Sequence, residues 1–147
     1  MGRAVLAVIA GYLAIGLFVF LTFTGLYLAI GADRAFRPGT YEVSVLWIVA
    51  SLVLGTLAAF LGGRVCAAIA KRPGPPRFLA GLVLVLGFAA GWKAFDESQV
   101  SPPRTANVSN LDAMQRAELP AWFALIHPLF SFAGVLAGAR GKRPGRG

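Results

Sequence analysis

Few side chains in this sequence could do chemistry, and their spacing limits what that chemistry is. His127 is the only histidine, set in an apolar run directly before Pro128. An ionisable residue in such a run is a functional candidate by default, since an imidazole could ligate a haem- or chlorophyll-type metal or pass a proton. One histidine supplies a single axial ligand, however, and no acid shares its run. The competing expectation is a neutral ring bonded to backbone that Pro128 frees. His127 is therefore the candidate cofactor-binding residue, with the cofactor itself unknown.

The remaining candidates point less far. Cys66 is the single cysteine, so it forms no intramolecular disulfide, builds no zinc site, and reads as a small buried hydrophobe. Arg64 lies two turns before Lys71 and reads as a snorkelling side chain rather than a substrate contact. Asp96 and Glu97 are adjacent, so they do not converge on one target, and they read as part of a solvated loop. Asn107-Val108-Ser109 fits a glycosylation acceptor, relevant only in a eukaryotic secretory setting. No phosphate-binding loop, HExxH, GxSxG, CxxC or dinucleotide fingerprint is present. No catalytic set and no metal site emerge.

The elements that carry these residues are apolar and long. Of 147 residues 57% are hydrophobic and 14% charged, whereas a soluble domain carries roughly a quarter charged. The apolar residues collect in four blocks, each long enough for a bilayer core that takes about 20 helical residues. The spans are expected over 4–30, 43–70, 78–94 and 120–139. Within 32–42, Pro38-Gly39 signals a turn, and residues 71–77 make a tight basic connection. Segment 95–119 is the longest polar stretch, with capping-box-like spacing from Ser109 ahead of a short interfacial helix ending near Glu118. Pro120 suits the first turn of the fourth span. Residues 140–147 read as a basic disordered tail. The first apolar run, 4–30, is far longer than a signal-peptide core and is expected to stay as a helix.

Charge orients the expectation. Placing both termini inside puts Arg3, Arg64, Lys71, Arg72, Arg77, Arg140, Lys142, Arg143 and Arg146 on the inner side. The outer side then holds Arg34, Arg37, Lys93, Arg104 and Arg116. Nine against five satisfies the positive-inside rule. Trp47, Trp92 and Trp122, with Tyr27 and Tyr41, fall near the outer ends and read as an aromatic belt. The net charge of +8 is then explained by topology and anionic lipid, without nucleic acid. Arg64, Lys71, Arg72 and Arg77 are the expected headgroup contacts.

The two halves faintly repeat. Gly62-Gly63-Arg64 precedes Lys71-Arg72-Pro73-Gly74, as Ala137-Gly138-Ala139-Arg140 precedes Lys142-Arg143-Pro144-Gly145. Small residues recur at four-residue spacing: Ala59, Gly63 and Ala67; Gly87 and Gly91; Gly134 and Gly138. Such faces let helix backbones approach closely, either inside one bundle or against another subunit. No Asp or Glu lies in the spans, which disfavours a self-contained ion-coupled pump.

The sequence thus predicts an all-α integral membrane protein: a four-helix bundle of two consecutive transmembrane hairpins, N-in and C-in, in a cell inner (plasma) membrane. The favoured role is a non-catalytic accessory or scaffold subunit of a larger complex, packing through its small-residue faces against other subunits or copies of itself. The alternatives are a cofactor-holding subunit using His127, and an oligomeric transporter of small molecules or lipids.

Overall fold

The computed structural model of the chain describes residues 2–96 and 116–140. Among them are four helices long and apolar enough to cross a membrane. They are α1 (Gly2–Ile30), α3 (Val45–Ala70), α4 (Gly74–Asp96) and α5 (Ala121–Ala139); a single turn, α2 (Ala32–Ala35), follows α1.

Local chemistry sets the ends. Gly31 ends α1 at φ 74°, a left-handed value that glycine adopts without strain. Ser44 caps α3: its hydroxyl oxygen accepts from the Trp47 amide at 3.2 Å, and the hydroxyl donates to the Arg34 carbonyl at 2.6 Å. Lys71 closes α3 in the left-handed region, its N–H donating to the Ala67 carbonyl. The basic connection is shorter than expected, because α4 starts at Gly74 instead of Phe78. Pro75 and Pro76 fall in its first turn, where a missing N–H costs nothing. Pro120 is the residue before α5, one position outside the helix.

Packing follows from which residues are small. Helix α3 lies between α1 and α5, while α4 docks mainly on α5 and more lightly on α3 and α1. Arg3 meets Ile69, and Gly11 meets Gly62 and Cys66, so α1 and α3 are antiparallel. Gly87 faces Pro128 and Gly91 faces Ala124, giving a second antiparallel pair, α4 and α5. Helices α3 and α5, the return limbs of the two halves, run parallel: Gly55 meets His127, Gly63 meets Val135, and Phe60 meets Gly138. A core of Ala7, Ala59, Cys66, Ala70, Leu79, Ala80 and Val135 fills one half of the bundle. Only Leu79 and Val135 among these are larger than alanine or cysteine, so the helices nearly touch backbone to backbone.

The other end is closed by a small cap. Phe36 pairs antiparallel with Val43, and the stretch at Glu42 pairs parallel with Glu118. In this pairing the Glu118 amide donates to the Tyr41 carbonyl at 2.9 Å, and the Val43 amide donates to the Glu118 carbonyl at 3.2 Å. Pro38-Gly39 forms the expected turn, with Gly39 at φ 73° and the Thr40 amide reaching the Arg37 carbonyl.

The aromatic belt needs correction. Trp92 and Trp122 face outward, 77% and 52% exposed, but Trp47 is only 8% exposed. Trp47 packs edge-on against Phe23 and Tyr27, with centroids 5.6 and 6.3 Å apart. Tyr27 and Tyr41 are likewise buried, Tyr41 edge-on to Phe36 and beneath the Arg116 guanidinium. These three rings build the cap, because burying them covers the chain reversal between α1 and α3. Glu97, Asn107, most of the expected short helix near 109–118, and residues 141–147 lie outside the described residues.

Candidate functional site

His127 sits where α3 and α5 meet. Gly55 has no side chain, and a methyl group built there would fall on His127 Nε2. The missing Cβ of Gly55 is therefore what admits the imidazole to the seam. Phe123, one turn earlier on α5, covers the ring at 5.2 Å and 32°. The ring lies beside the backbone of Ser51 on α3. A haem- or chlorophyll-sized group needs an open approach to one ring nitrogen. Here Nε2 faces Gly55 and Phe123 lies over the ring, which narrows the approach to that nitrogen from α3.

Ser51 also departs from expectation. Thr22 and Thr56 hydroxyls donate to carbonyls four residues back, at 2.7 Å each, as short polar side chains in apolar helices usually do. The Ser51 hydroxyl is buried and makes no bond among the described residues. It lies one turn before Gly55 on the helix against which His127 packs.

The small-residue positions meet other helices of the same chain. A Cβ at Gly63 would strike the Val135 backbone, and one at Gly138 the Phe60 carbonyl. At Gly134 it would stand 2.8 Å from the Thr56 carbonyl oxygen and 3.1 Å from the Ala59 Cβ. At Gly87 it would stand 2.9 Å from the Pro128 ring, and at Gly91 3.0 Å from the Ala124 Cβ. Ala67 is half-buried. The faces expected to dock a partner are engaged within the bundle, so the docking role cannot be assigned to them. Gly11 was missed. Its built Cβ would come within 2.7 Å of Leu79 and 2.8 Å of Cys66, and Ala7-xxx-Gly11 has the spacing that marks the other faces.

Arg34, Arg37 and Arg116 lie at one end of the bundle, and a larger basic group gathers at the other. Arg3, Lys71, Arg72 and Arg77 are exposed there, and the Arg3 Nε donates to the Ile69 carbonyl at 2.7 Å. Arg64 is exposed on α3 two turns away and Arg140 follows α5. Asp33, Glu42 and Glu118 belong to the opposite end, where Arg37 pairs with Glu42 at 2.8 Å. Cys66 is wholly buried against α1. Asp96 ends α4. Among the described residues no three His, Cys, Asp or Glu side chains group as metal ligands would.

No protein-family model matches the chain, and no curated protein or solved structure is similar to it.

Proposed function

We propose that the chain is a non-catalytic accessory subunit of a larger inner-membrane complex, inserted with both termini in the cytoplasm. Its basic end then lies at the cytoplasmic face, as the positive-inside rule favours. The observation that carries the subunit reading is the state of α1. Over 29 residues only Ala7, Gly11 and Tyr27 are buried. Gly16 and Gly25 leave notches with no atom within 4 Å. On α3 and α5 every glycine notch is filled by another helix of the bundle, and on α4 Gly87 and Gly91 are filled while Gly81 is open. Helix α1 is held along one side and offers the rest of a length of about 43 Å, at 1.5 Å per residue, to a neighbour. In lipid, notches of this kind let a second backbone approach closely.

The test is photo-crosslinking in the native membrane, followed by extraction in mild detergent. Probes at Gly16 and Gly25 should join the chain to one stoichiometric partner, and a probe at Val85 on α4 should not. A particle holding one 15.4 kDa chain, with no adduct from either α1 position, refutes the reading.

A further inference from the structure

Helices α1 and α4 begin at the same end of the bundle. The space between their first turns is a groove of about 330 Å³, lined by Ala4, Val5, Val8 and Ile9 on one side and by Pro75 and Phe78 on the other. Its walls are almost wholly apolar. Four cations flank its lining residues in sequence: Arg3 directly precedes Ala4, Lys71 and Arg72 lie in the connection into α4, and Arg77 lies between Pro75 and Phe78. All four are exposed, and none has an acidic partner among the described residues. The Arg3 Nε is committed to the Ile69 carbonyl, which fixes its stem beside the end of α3.

We propose that this groove is a site for one anionic phospholipid, with an acyl chain between α1 and α4 and the phosphate among Arg3, Lys71, Arg72 and Arg77. The two halves of the site require both properties in one molecule. A small soluble anion answers the charge and leaves the groove unfilled. A zwitterionic lipid fills the groove and leaves the cations without a net counter-charge. A partner's apolar helix would cover the groove but desolvate four unpaired cations, at a heavy cost. The phosphate of an anionic lipid neutralises them at the depth where the groove opens.

The site is independent of any protein partner. It requires only that the four helices span a bilayer, which the need for detergent to extract the chain tests separately. The experiment is native mass spectrometry of the full chain in detergent, titrated with an equimolar mixture of phosphatidylglycerol and phosphatidylcholine. The expected result is one retained phosphatidylglycerol per chain, in preference to phosphatidylcholine. Arg72→Gln and Arg77→Gln should each weaken that preference about five-fold, as expected for one basic residue near an anionic surface. Val5→Trp, at an exposed position, should reduce retention of both lipids by filling the groove. Millimolar inorganic phosphate should not displace the bound lipid. Equal retention of the two lipids by the unmodified chain, or displacement by phosphate alone, would overturn the proposal. A preference unchanged in the Arg72→Gln, Arg77→Gln double variant would overturn it as well.

Discussion

One methyl group added at Gly63 tests how closely α3 and α5 approach. A Cβ there would stand 2.8 Å from the Val135 Cα and carbonyl carbon, and closer still to the carbonyl oxygen, where ordinary contact begins at 3.4 Å. Both obstacles are backbone, so no side chain can swing aside. The helices must part by at least the difference, 3.4 − 2.8 = 0.6 Å. A gap of that size forfeits a quarter to a half of the dispersion attraction across the seam. With on the order of fifty atom contacts at ~0.15 kcal/mol each, the loss is ~2–4 kcal/mol. Alanine returns up to ~1 kcal/mol through its better helix propensity. Gly63→Ala should therefore cost about 1–3 kcal/mol net, within the usual range for overpacking. The matched control is Gly16→Ala on α1, where nothing lies within 4 Å and propensity alone acts. The assay is unfolding in mixed micelles of rising sodium dodecyl sulfate fraction, followed by circular dichroism. If Gly63→Ala unfolds at the same fraction as the unmodified chain, or Gly16→Ala falls as far as Gly63→Ala, the close parallel approach of α3 and α5 is wrong.

Three further outcomes follow from the same geometry. Gly55→Ala should destabilise the bundle by forcing His127 out of the seam, and His127→Ala in the same chain should recover part of the loss. The double-mutant cycle should give a coupling of about 0.5–3 kcal/mol, and strict additivity would contradict the contact. Trp47→Ala should cost about 3–5 kcal/mol and open residues 31–44 to protease. By contrast, Trp92→Ala, at an exposed ring, should leave the cleavage rate of that segment unchanged. Ser44→Ala removes the α3 cap and should cost about 1 kcal/mol in the same detergent titration; an unshifted midpoint would mean the cap bond carries no net stability.

The sequence by itself determined the elements. Four apolar blocks of membrane-spanning length, interrupted by Gly31, Pro38-Gly39 and Pro73-Gly74, left little choice but helices broken at those points. Backbone polar groups in an apolar medium must be satisfied within their own segment. The inward packing of most glycines was also foreshadowed by their four-residue spacing. Boundaries were less legible where proline could be read two ways: Pro75 and Pro76 look like loop residues, yet they open α4. The apolar-polar-apolar alternation of Tyr41, Glu42 and Val43 was the available sign of the extended stretch in the cap.

Partner choice needed the tertiary structure. An aromatic residue near the end of an apolar run can face lipid or a neighbouring chain reversal, and only the fold sends Trp47 inward and Trp92 outward. His127 could face a ligand, its own helix or the next helix, and the missing side chain at Gly55, more than seventy positions away, decides it. The groove between α1 and α4 could not be read locally either, since its walls come from two segments about seventy residues apart. Hydropathy fixes that a residue prefers an apolar setting, whereas the close approach of particular backbones fixes which neighbour supplies it.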